Sequence, residues 1–362
     1  MAQVRNRCAC GVGLLSFFAA ASICSAQADP WASVTFADPL RFSSLPISGS
    51  EAIVPAAGEW ELSSTMSYFN VWQRSWHTAT IHKEFGLQGQ PLQPWEIALL
   101  AQRHPADQFY HIDLEGWRDD VVIARGFGRG VAATLQIPWV GIGAPHWDDI
   151  AERFHATFGL GNMNRQVFPR SQSTVVVRGH GQILERFTGL PGSGLGDIRL
   201  SLTAPLGRWL GAEQRWAVAV EAPTGREGTL RGSGGWDWGV RWFATWGQGR
   251  TQVRAGLGYS VLAASGSWLG VRRDNIWGAL VEVHTPLGRR LTFRASARCD
   301  SSPLASFASS DVGKVSSYWT VGVLTPVPGR SWVAFDLGEN YGSVAEVPDF
   351  SFHLQLGTRF DR

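Results

Sequence analysis

The densest group of side chains able to do chemistry lies in one short stretch of the sequence. Asp148, Glu152 and His155 are spaced at i, i+4 and i+7, so they share one face if the stretch is helical, with Asp149 beside them. Carboxylates and an imidazole can bind a divalent cation or act as an acid and base pair. The structural interpretation is that Asp148 and Asp149 suit the first turn of a helix, where the macrodipole favours negative charge.

Apolar side chains of the same stretch also have helical spacing. Trp147, Ile150, Phe154 and Phe158 recur every three or four residues and predict an amphipathic helix. Because the stretch lies in a long connection, 140–172, we expect this helix to lie over or in one mouth of a larger structure as a plug.

No other pattern singles out an enzyme. The sequence contains no Gly-x-Ser-x-Gly motif and no phosphate-binding loop, and its remaining histidines have no spacing that points to a nucleophile. We therefore expect no cofactor, no metal and no catalytic role, with a hydrolase that uses the Asp/His group as the alternative.

The segments that must position these groups alternate between apolar and polar residues with a period of two. In the last one, Phe350, Phe352, Leu354, Leu356 and Phe360 share one face of an extended strand. A tilted strand needs about ten residues to cross a bilayer, and aromatic residues mark both ends. This segment resembles the C-terminal signal strand of outer-membrane barrels, which implies the barrel-assembly machinery as a partner.

On the opposite strand faces the sequence places charges. The residues predicted to point inward together are Arg199, Arg215, Arg241, Arg254, Arg294, Arg298, Glu61, Glu221, Asp237, Glu282 and Asp336. In a closed barrel they would line either a polar conduit whose arginines favour anionic solutes or an ion-pair network that fills a narrow lumen. The sequence leaves both interpretations open.

Turns between these segments alternate with long polar connections. Pro205-Leu-Gly-Arg208, Pro286-Leu-Gly-Arg289 and Pro326-Val-Pro-Gly-Arg330 are near copies of a short turn. Short turns that alternate with long loops are typical of outer-membrane barrels, whose short turns are periplasmic. The fold class predicted is therefore all-β: a transmembrane antiparallel up-and-down barrel of about 12 strands (range about 10–14) with short helices in its loops.

Composition indicates the same environment. Charged residues make up only 17% of a chain that contains 18 tryptophans, which is unusual for a soluble surface and expected where half of the strand faces meet lipid. The formal net charge is +2 and no basic run carries interleaved aromatics, so nucleic acid is not expected as a partner. The alternative fold, a two-domain soluble β protein, would have to bury the tryptophans against a second sheet.

The sequence predicts that the chain is divided into three segments. A charged start, an apolar run and small residues near Ala26 and Ala28 predict a signal peptide at 1–28. Its removal would leave Cys299 as the one cysteine, which cannot form an internal disulfide. Residues 29–58 are predicted to be a periplasmic arm able to fold up into the barrel mouth. Residues 59–362 would form the barrel, with long loops at 70–118 and 140–172.

Several short motifs of the chain occur together in one known family. They are Trp147-Asp-Asp-Ile150, Phe154-His155, Phe158-Gly-Leu160, Gly194-x-Gly-Asp197 and Pro223-Thr-Gly225. This set resembles an uncharacterised proteobacterial family, the domain-of-unknown-function family 3187, over roughly 38–360. The resemblance implies an outer-membrane barrel of unknown activity, and it transfers no catalytic residue.

The sequence thus predicts a protein of the bacterial outer membrane that contacts lipid. Its expected function is that of a passive channel or uptake pore for a small solute of anionic or amphipathic character. The alternatives are an outer-membrane hydrolase with a rim Asp/His site and a structural or surface-interaction barrel with a blocked lumen.

Overall fold

The structure is a computed structural model. It describes residues 45–361 with gaps at 106–108, 144–146, 160–164, 171–172, 180–181, 187–191, 227–228, 248–250, 264–272, 289, 304–314 and 341–349. The predicted signal peptide and the first part of the predicted arm lie outside the described residues. Within those residues, no helix combines the length and apolar character needed to cross a membrane.

In the described part of the chain, fifteen strands form one antiparallel sheet. They are β1 (Trp60–Arg74), β2 (Phe109–Gly128), β3 (Val131–Ile142), β4 (Thr174–Gly179), β5 (Gln182–Arg186), β6 (Gly192–Leu195), β7 (Ile198–Trp209), β8 (Ala212–Ala222), β9 (Asp237–Trp246), β10 (Gln252–Val261), β11 (Asn275–Pro286), β12 (Thr292–Asp300), β13 (Ser316–Val327), β14 (Ser331–Asn340) and β15 (Phe350–Phe360). Twelve of them, all but β4 to β6, close a ring through the β2–β3 and β1–β15 pairings. The predicted fold class and the predicted strand number are confirmed.

The closed ring is consistent with the alternation of apolar and polar residues in the sequence. Along β10, the side chains of Arg254 and Ser260 are buried, whereas Leu257 and Tyr259 are exposed on the outer surface. Closure removes both sheet edges, so every strand of the ring has a hydrogen-bonded neighbour on each side. Polar residues therefore face the interior while apolar residues face outward.

Strands β1 and β2 extend beyond the ring and shorten the loop that was predicted at 70–118. Strand β1 continues to Arg74, and β2 begins at Phe109 rather than near Asp119. Both faces of this extension are covered, so burial at 109–115 is continuous and the period-two signal is lost. The hairpin of β4 and β5 pairs with the extension through β2.

Helices cover the outer face of that extension. Helix α1 (Trp76–Glu84) and helix α2 (Pro94–Arg103) occupy the connection between β1 and β2. Ile81, Ile97 and Leu100 from these helices pack with Trp72 and Phe168 in one buried cluster. His82 Nδ1 and Glu96 Oε1 are hydrogen-bonded over 2.8 Å, and this contact is inaccessible to solvent and ties α1 to α2. The extension is thus a small packed unit at the end of the barrel that carries the long loops.

Candidate functional site

The charges predicted to face inward lie on the inner wall, and most of them are paired. Arg199 lies 3.1 Å from Glu221, Arg254 lies 3.2 Å from Glu282, and Arg294 lies 2.8 Å from Asp336, all six side chains being almost fully buried. Of the other predicted charges, Arg298 pairs with Asp300, and Glu61 pairs with Arg359. Arg215 is half-buried and donates a hydrogen bond to the Gly130 carbonyl. The Asp237 carboxylate accepts a hydrogen bond from the Ala263 amide.

The described part of the predicted arm lies inside the barrel. Ala57 makes a parallel bridge with Gly126, beside the short turn between β2 and β3. At the other end of the segment, the Leu45 carbonyl accepts hydrogen bonds from Arg241 and from Ser260, near the end of β10 that leads into a long loop. Residues 45–57, here called the interior segment, therefore run along the lumen from the long-loop end to the short-turn end.

Glu51 is the centre of the contacts that hold the interior segment. It is 1% exposed, and its Oε2 accepts a 3.1 Å hydrogen bond from Nε of Arg241. Its Oε1 lies 3.5 Å from Nη1 of Arg199. Its backbone carbonyl accepts a 2.5 Å hydrogen bond from the Thr203 hydroxyl. Two guanidinium groups on adjacent regions of the wall thus converge on one carboxylate.

Further backbone carbonyls of the segment are held by wall side chains. Pro46 accepts from Arg199 over 3.2 Å, and Gly49 accepts from Arg254 over 3.1 Å. Ser48 and Glu51 form a reciprocal capping box around a 3-10 turn, Gly49–Ala52. The segment therefore contains one tight turn, and four of its carbonyls, those of Leu45, Pro46, Gly49 and Glu51, accept hydrogen bonds from side chains of the wall.

An apolar patch of the inner wall, here called the apolar seat, completes the contact between the wall and the interior segment. Ile47 and Ala52 pack with Ala217, Phe243 and Leu280 of the inner wall. Glycines make room for Ile47, because a Cβ at Gly258 would lie 3.1 Å from Ile47 Cβ and a Cβ at Gly278 would lie 2.9 Å from Ile47 Cγ2. The interior segment and the wall are shaped for each other.

A second polar group of the inner wall contains an imidazole. His353 Nδ1 lies 2.8 Å from Ser67 Oγ, and its Nε2 lies 3.0 Å from Ser351 Oγ and 3.2 Å from Tyr318 OH. A serine nucleophile needs a base that is oriented by a third group, which is commonly a carboxylate. The partners of His353 in the described structure are hydroxyl groups, so this network ties β1, β13 and β15 together.

The helix predicted as a plug lies on the outer wall instead. Helix α3 (Asp148–Phe158) buries Ala151 against Tyr68 and Phe350, and Phe154 packs on the same cluster. The ring centroid of Trp147 lies 5.2 Å from those of Tyr68 and Phe352; the ring is tilted against Tyr68 and stacked on Phe352. These barrel residues belong to the outward faces of β1 and β15, so the prediction that this helix lies over or in a mouth is wrong.

The physical reason is that an apolar helix face needs an apolar surface, which the wall offers outside and the charged lumen does not. Ile150 remains exposed, so the predicted stripe packs only in part, and the side chain of Phe158 lies outside the described residues.

The four catalytic candidates do not converge. Asp148 pairs with Arg165 at 2.5 Å, Asp149 and Glu152 both pair with Arg170, and His155 lies 3.9 Å from Glu339. The hydrogen bond to Glu152 is the main factor that raises the pKa of Arg170. Among the described residues, no group of three or more His, Cys, Asp or Glu side chains could hold a metal ion.

The Gly-x-Gly-Asp and Pro-Thr-Gly motifs meet at the rim. Asp197 accepts the backbone amides of Gly225 over 2.8 Å and Ser233 over 2.5 Å, and Thr224 donates to the Gly196 carbonyl over 2.7 Å. One buried carboxylate thus ties the start of β7 to the loop after β8. The motifs have a structural role that their residue types did not reveal.

An apolar cleft of about 520 Å³ opens on the outer wall below α3. Met66, Tyr68, Trp117, Trp147 and Phe352 line it, together with the carboxylate of Glu115. Glu115 accepts hydrogen bonds from Asn70 Nδ2 and from the Trp147 amide. The sequence did not predict this cleft, because its walls come from five strands and one loop.

The functional contact that sequence reasoning missed is the interior segment itself. Ser48-x-x-Glu51 has the pattern of a capping box, which signals a local turn. That pattern says nothing about Arg199 and Arg241, which follow Glu51 in the chain by well over one hundred residues.

The sequence model of one protein family matches residues 102–360, a region that contains β2 to β15 and the rim motifs. The family is described as protein of unknown function (DUF3187). The chain belongs to the DUF3187 family. For this DUF3187 protein, no match is found among curated protein sequences.

Solved structures of outer-membrane barrels are similar to this DUF3187 protein at low sequence identity. The COG4313 outer membrane channel from Pseudomonas putida F1 is 10% identical, with a TM-score of 0.51, over 86% of this chain and 98% of the other. The NanC porin (8%, TM-score 0.44, 82% and 98%) and the Pseudomonas putida toluene transporter TodX (9%, TM-score 0.35, 92% and 98%) are more distant. The first likeness supports the barrel fold, and the other two are too weak to add to it.

Proposed function

We propose that this DUF3187 protein is a passive outer-membrane channel for small solutes, including anionic ones, and that its own N-terminal segment closes the lumen. The observation that carries the proposal is the ion pairing of Glu51 with two arginines of the inner wall. A segment that merely passed through the lumen would not need charged partners at its centre.

Barrel size supports this proposal. About eight strands enclose an interior that side chains can fill, whereas sixteen or more leave an aqueous channel. A ring of twelve strands lies between these cases. The interior segment lies in this lumen against the inner wall, so its removal would leave a polar passage lined by arginines and carboxylates.

The outer wall supports a membrane location. Leu200, Trp238 and Trp277 are exposed by 56%, 49% and 46% and belong to the outward strand faces. Contiguous apolar surface of this extent is costly in water and is stabilised by lipid. The barrel therefore sits in the outer membrane in contact with lipid, and its C-terminal strand is the segment recognised by the assembly machinery.

Conductance measurements on the purified protein in planar lipid bilayers test the proposal. The comparison includes the mature wild type, a variant lacking 29–53, and a control lacking 149–170, which removes most of α3 from the outer wall. We expect larger and longer openings only in the first variant, because only it empties the lumen. An absence of current in all three proteins, each shown to be folded by its gel mobility before boiling, would instead establish a structural barrel.

A further inference from the structure

We propose that Glu51 occupies the binding position of the solute's carboxylate. In this proposal a small carboxylate that also carries amide carbonyls, the chemistry of a short peptide, binds Arg199 and Arg241 in place of the interior segment and thereby opens the barrel. The proposal rests on the channel function proposed above and adds the solute class and the way in which the solute opens the lumen.

The first argument is the geometry of the two guanidinium groups. Arg241 presents Nε to Glu51 and Nη2 to the Leu45 carbonyl, while Arg199 presents Nη1 to both Glu51 and the Pro46 carbonyl. Both side chains are anchored to the wall, Arg199 by Glu221 and Arg241 by the Tyr259 carbonyl. Fixed, buried guanidinium groups are suited to recognise a carboxylate and an adjoining carbonyl.

The second argument is that Glu51 satisfies these donors incompletely. Its Oε1 approaches Arg199 Nη1 only to 3.5 Å and accepts no hydrogen bond within the described chain, and Arg199 Nε donates none there either. A carboxylate tethered to a turn cannot orient freely toward both arginines. A solute carboxylate is free to rotate and can accept from both, so it can compete with Glu51 despite the tether.

Charge balance is the third argument. Arg199 and Arg254 each have a wall carboxylate as a partner, Glu221 and Glu282. In the described structure, Arg241 has its ion pair with Glu51 of the interior segment. When that segment leaves, Arg241 keeps no carboxylate partner, and a buried unpaired charge is strongly unfavourable. The open lumen therefore attracts an anion to this position.

The remaining contacts define the rest of the solute. Side chains that reach the segment's backbone are donors, Ser260, Thr203 and Arg254, and each binds a carbonyl oxygen. Beside them, Phe243 and Leu280 form the apolar seat for Ile47. The site therefore fits a carboxylate with carbonyl acceptors and a branched apolar side chain.

The test uses N-acetyl-isoleucine as the carboxylate probe and N-acetyl-isoleucinamide as its uncharged control, added to the intact protein in planar bilayers. We expect the carboxylate to raise the open probability of the wild type and the amide to leave it unchanged. Glu51→Gln is expected to raise the open probability without any probe by roughly tenfold or more, because it removes the charge that holds the segment. The charge-matched control Glu84→Gln, at an exposed position of helix α1, should behave as the wild type.

Arg241→Gln separates recognition from closure. It weakens the closed state, but it should also abolish the difference between the carboxylate and the amide. The inference is overturned if both probes act alike on the wild type, or if Glu51→Gln keeps the wild-type open probability. Such a result would leave the channel proposal standing as long as the variant lacking 29–53 conducts; if that variant fails to conduct, the channel proposal itself falls.

Discussion

Asp148 and Asp149 are neighbours in sequence, yet the structure gives them different environments. Asp148 is the first residue of α3 and is buried, and Arg165 and Asn70 both donate to its carboxylate. Arg165 is itself buried, donates to Asn70 and stacks over Trp72. The Asp149 side chain is 55% exposed and pairs with the equally exposed Arg170. The same residue type is thus a buried anchor at one position and a surface charge at the next.

We therefore expect Asp148→Ala to loosen the segment that carries α3, since the change leaves the buried Arg165 guanidinium without its carboxylate. Breaking a buried pair costs about 3–5 kcal/mol, whereas an exposed pair contributes about 0–1 kcal/mol. Limited proteolysis of the folded protein should cut within 159–173 faster in Asp148→Ala than in Asp149→Ala. Equal cleavage rates in the two variants would mean that Asp148 does not anchor the helix.

At the scale of elements, α3 lies on the outer wall rather than at a mouth, and the interior segment, which is part of the arm predicted at 29–58, lies within the lumen. Helix α3 is amphipathic, and its apolar side chains pack on outward-facing Tyr68 and Phe350. The interior segment has no periodicity, and its carbonyls and Glu51 suit a polar lumen. Each element lies where its polar groups are satisfied and its apolar groups are covered.

The fit of the interior segment depends on glycine at position 258. A Cβ there would lie 2.9 Å from Arg241 Cδ and 3.1 Å from Ile47 Cβ, so Gly258→Val should displace the segment from its seat. Ser50→Cys in a Cys299→Ser background reports this displacement through its rate of maleimide labelling, since Ser50 is buried in the closed barrel. Labelling should be faster with Gly258→Val than with the outward-facing control Leu257→Val. Equal labelling rates would show that the seat tolerates a side chain.

For the whole molecule, the closure of the ring gives every strand in it a hydrogen-bonded neighbour on both sides. Strand β15 pairs with β1 from Phe360 to Phe350 and with β14 on its other side. Its loss would expose two strand edges and the full row of their backbone groups. The polar backbone can be satisfied within lipid only if this pairing is complete.

Gel mobility before and after boiling tests this closure. The intact protein should migrate faster when unboiled, because a closed barrel resists unfolding by detergent. Removal of 350–362 should abolish the shift, whereas removal of only 361–362 should retain it. The short truncation loses the exposed pair between Arg330 and Asp361, which contributes about 0–1 kcal/mol. A shift that persists without β15 would contradict closure through this strand.

Strand periodicity and turn spacing were sufficient to predict the closed antiparallel fold, its twelve strands and the helix within 147–158. They failed at 70–74 and 109–118, because helices cover the outer face there and burial is continuous over 70–73 and 109–115. The sequence predicted only one part of the candidate site. It indicated the inward-facing arginines, but not the interior segment that they bind.

The sequence by itself determined which side of each strand is polar, because a strand exposes alternate residues to opposite environments and the two residue sets differ along its whole length. Only the tertiary structure decided what fills the space those polar faces enclose. Glu51 contacts Arg199 and Arg241, which follow it in the chain by well over one hundred residues. No local pattern encodes such a contact, because it exists only after twelve strands have closed around the segment.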